Sequence, residues 1–283
     1  MAQLADAPGP RWWVDRSGRA VAYVVLAVAA TAWMTMLTLP GMRMPGLYAG
    51  MAPALMSAPS DSMTMGASTS MGWTWVDLVT FTAAWALMMA AMMLPSATPM
   101  VALYGTVVRR RGLGTIAGRV TMFVAPYVAL WALSGIPVYL FTVGIDTLIR
   151  SHRWAYEVAP YAVAAILLTA GVYQFSPLKR ICLSNCRNPL NFLASHWRPG
   201  LAGPAHIGFA HALYCFGCCA LLMVVLVAAG AMGLAWVLLV AAAVAIEKLA
   251  PGWLASPAVA GVALVAVGTA VALHPGLASS LRS

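Results

Sequence analysis

The sequence is short of charge. Only 8% of its 283 residues are Asp, Glu, Lys or Arg, where a soluble domain carries about a quarter. Acids are the scarcer sign, seven against sixteen Lys and Arg. A chain this poor in charge cannot clothe an ordinary water-facing surface. Its 62% hydrophobic content and mean hydropathy of +0.85 point instead to a bilayer as solvent. Familiar catalytic motifs are missing too. A P-loop, an H-E-x-x-H pair and a nucleophile elbow are all absent, so nothing in the sequence marks a nucleotide-driven pump, a zinc protease or a serine hydrolase. Cysteine is also rare. Five residues form an odd set, and all lie between Cys182 and Cys219, which argues against a disulfide scaffold.

What is present is apolar sequence in blocks of membrane-spanning length. The expected fold is all-α, a polytopic membrane helix bundle with about seven transmembrane helices. Residues 1–20 form a polar arm with Trp12 and Trp13 as interfacial anchors, and 21–273 form one transmembrane domain. The spans are expected at about 21–39, 74–94, 120–143, 158–175, 206–228, 232–247 and 257–273. The first is read as a retained helix, since Leu39-Pro40-Gly41 is a poor cleavage site. Residues 41–73 make a Met-rich loop, 176–205 a connector that contains cysteine, and 274–283 a tail.

The basic residues orient this arrangement. With the amino terminus in the cytoplasm, twelve of them fall in inside segments, including Arg109-Arg110-Arg111, Arg119, Lys179, Arg180, Arg187, Arg198 and Lys248. Four fall outside: Arg43, Arg150, Arg153 and Arg282. The positive-inside rule then places the amino terminus in the cytoplasm and the carboxyl terminus outside. The net charge of +9 is accounted for by these loops. The expected partner is the lipid bilayer rather than nucleic acid.

The connector and the 206–228 span carry the chemistry. At about 100° per residue, His211, Cys215 and Cys218 point within roughly 60° of one another, and Cys219 lies beside Cys215 one turn on. Cys182 and Cys186 are one helical turn apart, so a short connector helix would offer a second pair of thiols. Two such pairs make a soft-metal site, with Cys182, Cys186, Cys215, Cys218, Cys219 and His211 as candidate ligands. Copper(I) is the favoured metal, with zinc or an iron–sulfur centre as alternatives. Cysteine also serves membrane helices as a small apolar packing residue, and Cys215 with Cys218 could act as a redox pair.

Methionine is abundant, with eighteen residues. Met51, Met56, Met63, Met65 and Met71 in the outside loop are candidate soft ligands, because thioethers favour Cu(I) and survive an oxidising compartment. The same loop could equally pack on the membrane surface. Met88, Met89, Met92 and Met93 form one broad helix face, which suits core packing or a metal path. Asp77 and Glu247 are the acids nearest hydrocarbon, and Glu247 is expected to pair with Lys248 or Arg198.

Several runs resemble a known family. These are Met88-Met-Ala-Ala-Met-Met-Leu-Pro95, Tyr173-Gln-Phe-Ser-Pro-Leu-Lys179 with Cys182 and Cys186, Trp197-Arg198-x-Gly200, Cys215-x-x-Cys218-Cys219, and Glu247-Lys248. Over roughly residues 75–250 the chain is similar to a bacterial family of uncharacterised, predicted metal-binding integral membrane proteins. A tryptophan commonly follows the double cysteine there, where this chain has Ala220. The resemblance implies a membrane protein that binds metal. The leading expectation is copper handling, as an accessory or transport protein, with other membrane subunits or a metal-donating protein as partners. A scaffold with a structural zinc or iron–sulfur site, and a membrane enzyme acting on a quinone or another lipid-soluble substrate, are the alternatives.

Overall fold

The structure is a computed structural model that describes residues 16–38, 74–228, 234–250 and 256–277. The described residues form ten helices and no strand. They are α1 (Arg16–Thr38), α2 (Trp75–Arg110), α3 (Ile116–Leu133), α4 (Gly135–Ser151), α5 (Arg153–Tyr173), α6 (Pro177–Arg187), α7 (Pro189–His196), α8 (Gly203–Ala228), α9 (Leu234–Leu249) and α10 (Pro257–Leu273). Five segments are long and apolar enough to cross a membrane: α1, α2, α3 with α4, α5 and α8. The last two helices, at 16 and 17 residues, are shorter.

Two of the departures from the sequence expectation each have their reason in a contact from a neighbouring helix. The second span does not stop at Pro95. It runs on for 36 residues through Pro95 and Pro99, so Arg109 and Arg110 form its last turn rather than a loop. A proline inside a helix leaves the carbonyl four residues earlier without its N–H partner. For Pro95 that carbonyl belongs to Ala91, and Trp33 Nε1 of α1 donates to it at 3.1 Å. The helix survives because a neighbour meets the orphaned acceptor. The third span, expected as one helix over 120–143, is divided at Ser134 into α3 and α4. Trp85 of α2 wedges in at this point, its Nε1 donating to Trp131 O and Ser134 Oγ, both at 3.1 Å. At 36 residues α2 is about 54 Å long, well beyond a hydrocarbon core of about 30 Å.

Helix α2 is the axis of the bundle. It packs against α1 on one side and α3 on the other, and α3 packs in turn on α8. Phe81, Trp85, Met88, Met89, Met92, Met93, Met100 and Tyr104 of α2 lie in the main core with Tyr127, Trp131, Cys215, Cys218 and Cys219. A smaller core joins α5, α8 and α10. The outer faces stay apolar. Tyr23, Val79, Phe141, Val172 and Val262 are exposed, as lipid-facing residues would be.

The helices meet closely through small residues. A Cβ on Gly208 of α8 would stand 1.9 Å from Phe123 O of α3, so this crossing accepts glycine alone. Close backbone approach of this kind is the common way to pack helices in lipid. Gly208→Ala is expected to force α3 and α8 apart and to lower Tm by roughly 3–8 °C, the usual scale for overpacking. Thermal unfolding in detergent checks this, and an unchanged Tm would contradict the tight crossing.

Candidate metal centre

The connector folds into two short helices that dock on the bundle. Ser176 caps α6, its side chain accepting from Lys179 N at 3.1 Å, and Pro177 opens the first turn. These signals start the helix where Cys182 and Cys186 fall one turn apart and face α8. Gly217 of α8 makes room for them. A Cβ there would lie 2.7 Å from Cys182 Sγ. Tyr173, the last residue of α5, donates its hydroxyl to Gly217 O at 2.6 Å and holds the junction from the other side.

Four thiols converge beneath that contact. Cys218 Sγ is 3.6 Å from Cys219 Sγ, and Cys215 Sγ is 4.0 Å from Cys219 Sγ. Cys186 donates a hydrogen bond to Cys218. Cys182 lies beside this group against Gly217. A fifth sulfur joins from α2, since Met93 Sδ is 4.0 Å from Cys219 Sγ. A metal held by thiolates at about 2.3 Å has sulfur–sulfur edges of roughly 3.8–4 Å, so the spacing is already suitable. The orientation is not. Cys218 and Cys219 both turn back to donate to Cys215 O, at 3.1 and 2.7 Å. Among the described residues, no group of three or more His, Cys, Asp or Glu side chains is arranged to hold a metal ion as it stands. A metal would have to draw these thiols off the helix carbonyl.

His211 is held by rings rather than sulfur. It stacks on Tyr127 with centroids 5.5 Å apart and meets Phe192 edge-on at 5.5 Å. Its Nδ1 is buried without a hydrogen-bond partner. Met51, Met56, Met63, Met65 and Met71 lie outside the described residues. Met88, Met89, Met92 and Met93 are all fully buried, so that face of α2 is core, and Met93 alone of them reaches a thiol. Asp77 sits in the first turn of α2, where Thr74 caps its N–H.

Sequence reasoning missed the charges. Glu247 of α9 pairs with neither Lys248 nor Arg198. Its Oε2 accepts from Lys179 Nζ at 2.7 Å, and both side chains are buried. Spacing within α9 could not reveal this, because the partner is 68 residues away on α6. Lys248 is buried as well, 8% exposed, though its place in the sequence suggested a loop cation. Its Nζ donates to Cys215 Sγ at 3.0 Å and to Ser96 Oγ at 3.3 Å, and among the described residues no carboxylate meets it. Tyr127 OH is a further partner of Cys215 Sγ, at 3.2 Å. A tyrosine within an apolar helix gave no sequence signal.

The arrangement has a clear electrostatic sense. Lys179 and Glu247 neutralise each other, which leaves the Lys248 ammonium as an extra positive charge within the core. A buried cation is stable only beside negative charge. The ionisable acceptor at hand is the Cys215 sulfur, so the site suits a thiolate or an anionic metal–thiolate group. The connector thiols differ. Burial pushes Cys182 up from its usual value. Cys186 is held well up by the hydrogen bond to Cys218 and then by burial. Both are protonated at neutral pH, and a metal must displace their protons to bind them.

No curated protein and no solved structure matches this chain. A family profile does, that of the PpoB2 copper chaperones, over residues 82–271. The matched stretch runs from α2 to α10 and contains every thiol, Met93, Tyr127, Lys179, Glu247 and Lys248. The family description names copper, and neither zinc nor an iron–sulfur centre. With about two thirds of its length matched, the chain belongs to the PpoB2 copper chaperone family.

Proposed function

We propose that this chain is an integral membrane copper chaperone that takes Cu(I) onto its buried thiols and passes it to an acceptor protein. The observation that carries the reading is the convergence of Cys186, Cys215, Cys218 and Cys219 around the uncompensated Lys248 ammonium. Copper is the substrate here, cargo to be held and released rather than a resident cofactor.

The charge of the site favours a monovalent ion. Cu(I) with two thiolates carries one net negative charge, which the Lys248 ammonium offsets. Zinc with four thiolates carries two, and one would remain unbalanced in a medium of low dielectric. Cys215 is the first ligand in this scheme, because Lys248 donates to its sulfur and favours the thiolate. Cys218 or Cys219 supplies the second thiolate as it turns from the Cys215 carbonyl to the metal. Cys186 and Cys182 sit on the connector, which is not itself an apolar span, and they suit the entry or exit step. Met93 offers a neutral thioether at the inner side of the cluster. Such a ligand binds Cu(I) weakly enough to permit onward transfer.

The membrane reading rests on the five membrane-length apolar segments and the exposed apolar outer faces. In the proposed topology α9 and α10 cross as short sixth and seventh spans. The amino terminus and the connector face the cytoplasm of a bacterial inner membrane, and the carboxyl terminus lies outside. Met51, Met56, Met63, Met65 and Met71 then stand on the outer side as candidate ligands that collect or hand off copper. His211 is left as a reserve ligand by its unpartnered Nδ1.

Full-length protein purified anaerobically without chelator is expected to hold about one equivalent of copper. Cys215→Ser and Cys218→Ser should lose it, and Cys186→Ser should weaken it. Elemental analysis reads the result, and copper content unaffected by all three variants would contradict the site. Lys248→Met is expected to weaken Cu(I) affinity on the order of tenfold in competition with a Cu(I) chelator. The same change is expected to lower Tm, because it removes the contacts from α9 to Ser96 and Cys215. Unaltered affinity would remove Lys248 from the account.

A further inference from the structure

Helix α6 has two chemically distinct faces. Cys182 and Cys186 point to α8, while Arg180, Ser184 and Arg187 recur at the spacing of one face on the other side. That second face lines a cavity of about 630 Å³, closed by Gln174 and Phe175 at the end of α5 and by Ser256–Ala258 at the start of α10. The volume falls within the range of small-ligand sites.

The lining sets Arg180, Arg187, Ser184 and Asn188 beside apolar Leu183, Pro257 and Ala258, and among the described residues it holds no acid. Among the described residues the Arg180 guanidinium has no hydrogen-bond or ion-pair partner. Arg187 uses Nη2 to donate to Ala250 O at 3.1 Å, which leaves its other donors for a ligand. The nearest buried carboxylate, Glu247, is committed to Lys179. Gln174 is 2% exposed, yet its Oε1 has no hydrogen-bond partner. A buried amide left unsatisfied against a cavity is costly unless something in the cavity meets it. An amide can offer either a donor or an acceptor there, since a half-turn exchanges its two ends.

We propose that this cavity binds a phosphate-bearing anion, and that its natural occupant is the headgroup of an anionic phospholipid. Two guanidinium groups suit phosphate oxygens through their paired N–H donors. Gln174 and Ser184 supply partners for headgroup hydroxyls. The amino terminus of α10 adds a favourable dipole, although its own cap is already met by Ser256. The choice of lipid rests on the membrane reading above. It follows from the Phe175 ring, which lines the cavity, is about half exposed and stands where an acyl chain would lie. Basic pockets at the cytoplasmic ends of membrane helices commonly hold such headgroups.

The test uses the full-length protein in nanodiscs, with Tm as the readout. Discs that contain phosphatidylglycerol are expected to raise Tm by at least about 3 °C over discs of phosphatidylcholine alone. Arg180→Gln and Gln174→Ala should each remove most of that rise. Arg187→Gln should do the same from a lower baseline, because it also loses the Ala250 contact. Arg109→Gln, at the end of α2, should retain the rise. If inorganic phosphate alone gives the same Arg180-dependent rise in phosphatidylcholine discs, the cavity binds free phosphate and the lipid assignment falls. No rise with either anion, or a rise that survives Arg180→Gln together with Gln174→Ala, would overturn the site. Copper content is measured alongside, so that failure of the metal reading is seen separately.

Discussion

The rest of the structure depends on placing charge where charge is least welcome. A chain with so few ionisable residues still buries Lys179, Glu247 and Lys248 in its core. Two of them cancel through a 2.7 Å ion pair between α6 and α9. The third is left beside a thiol. Removing an ammonium from water costs several kcal/mol even after relaxation, so its presence implies a compensating negative group. The Cys215 sulfur is placed to supply one. The pair and the lone cation have a shared mechanical effect as well. Lys179 ties the connector to α9, and Lys248 ties α9 to both α2 and α8.

The surrounding fold serves this junction. Helix α2 continues past Pro95 because Trp33 meets the freed Ala91 carbonyl, and this continuity puts Ser96 within reach of Lys248. Gly208 lets α3 lie against α8, which brings Tyr127 to Cys215. Gly217 lets α6 lie against the same helix and brings its thiols over the cluster. The thiols begin on one helix carbonyl, at sulfur spacings suited to metal, and must turn from it to bind. On the proposed reading, a site that must be reshaped to bind copper also lets it go.

Much of the architecture was legible in the sequence, because apolar blocks in a charge-poor chain admit few solutions. The 257–273 helix has the expected limits, and α5, α8 and α9 fall within a few residues of theirs. The departures come from contacts between helices. No local pattern says that Trp33 will rescue a proline-containing turn, or that Trp85 will divide a span at Ser134. The clustering of the thiols was legible to the same degree. Five cysteines in one short stretch, with two pairs at helical spacing, pointed to a thiol cluster, and the structure brings four of them together. His211 shares the helix face of Cys215 but is taken by Tyr127 and Phe192, which only the packing reveals. Lys248 was hidden for the opposite reason. A lysine at a helix end is normally a solvated cation, and here the last turn of α9 turns Glu247 and Lys248 into the core.

The most direct test of a thiolate-held copper centre is X-ray absorption at the copper edge on anaerobically loaded, full-length protein. A first shell of two or three sulfur atoms at about 2.3 Å, with an edge typical of Cu(I), is the result predicted here. A first shell of nitrogen and oxygen, unchanged when Cys215 and Cys218 are replaced together by serine, would contradict it. Copper would then be carried elsewhere in the chain, and the buried thiols would be packing residues around an ion pair.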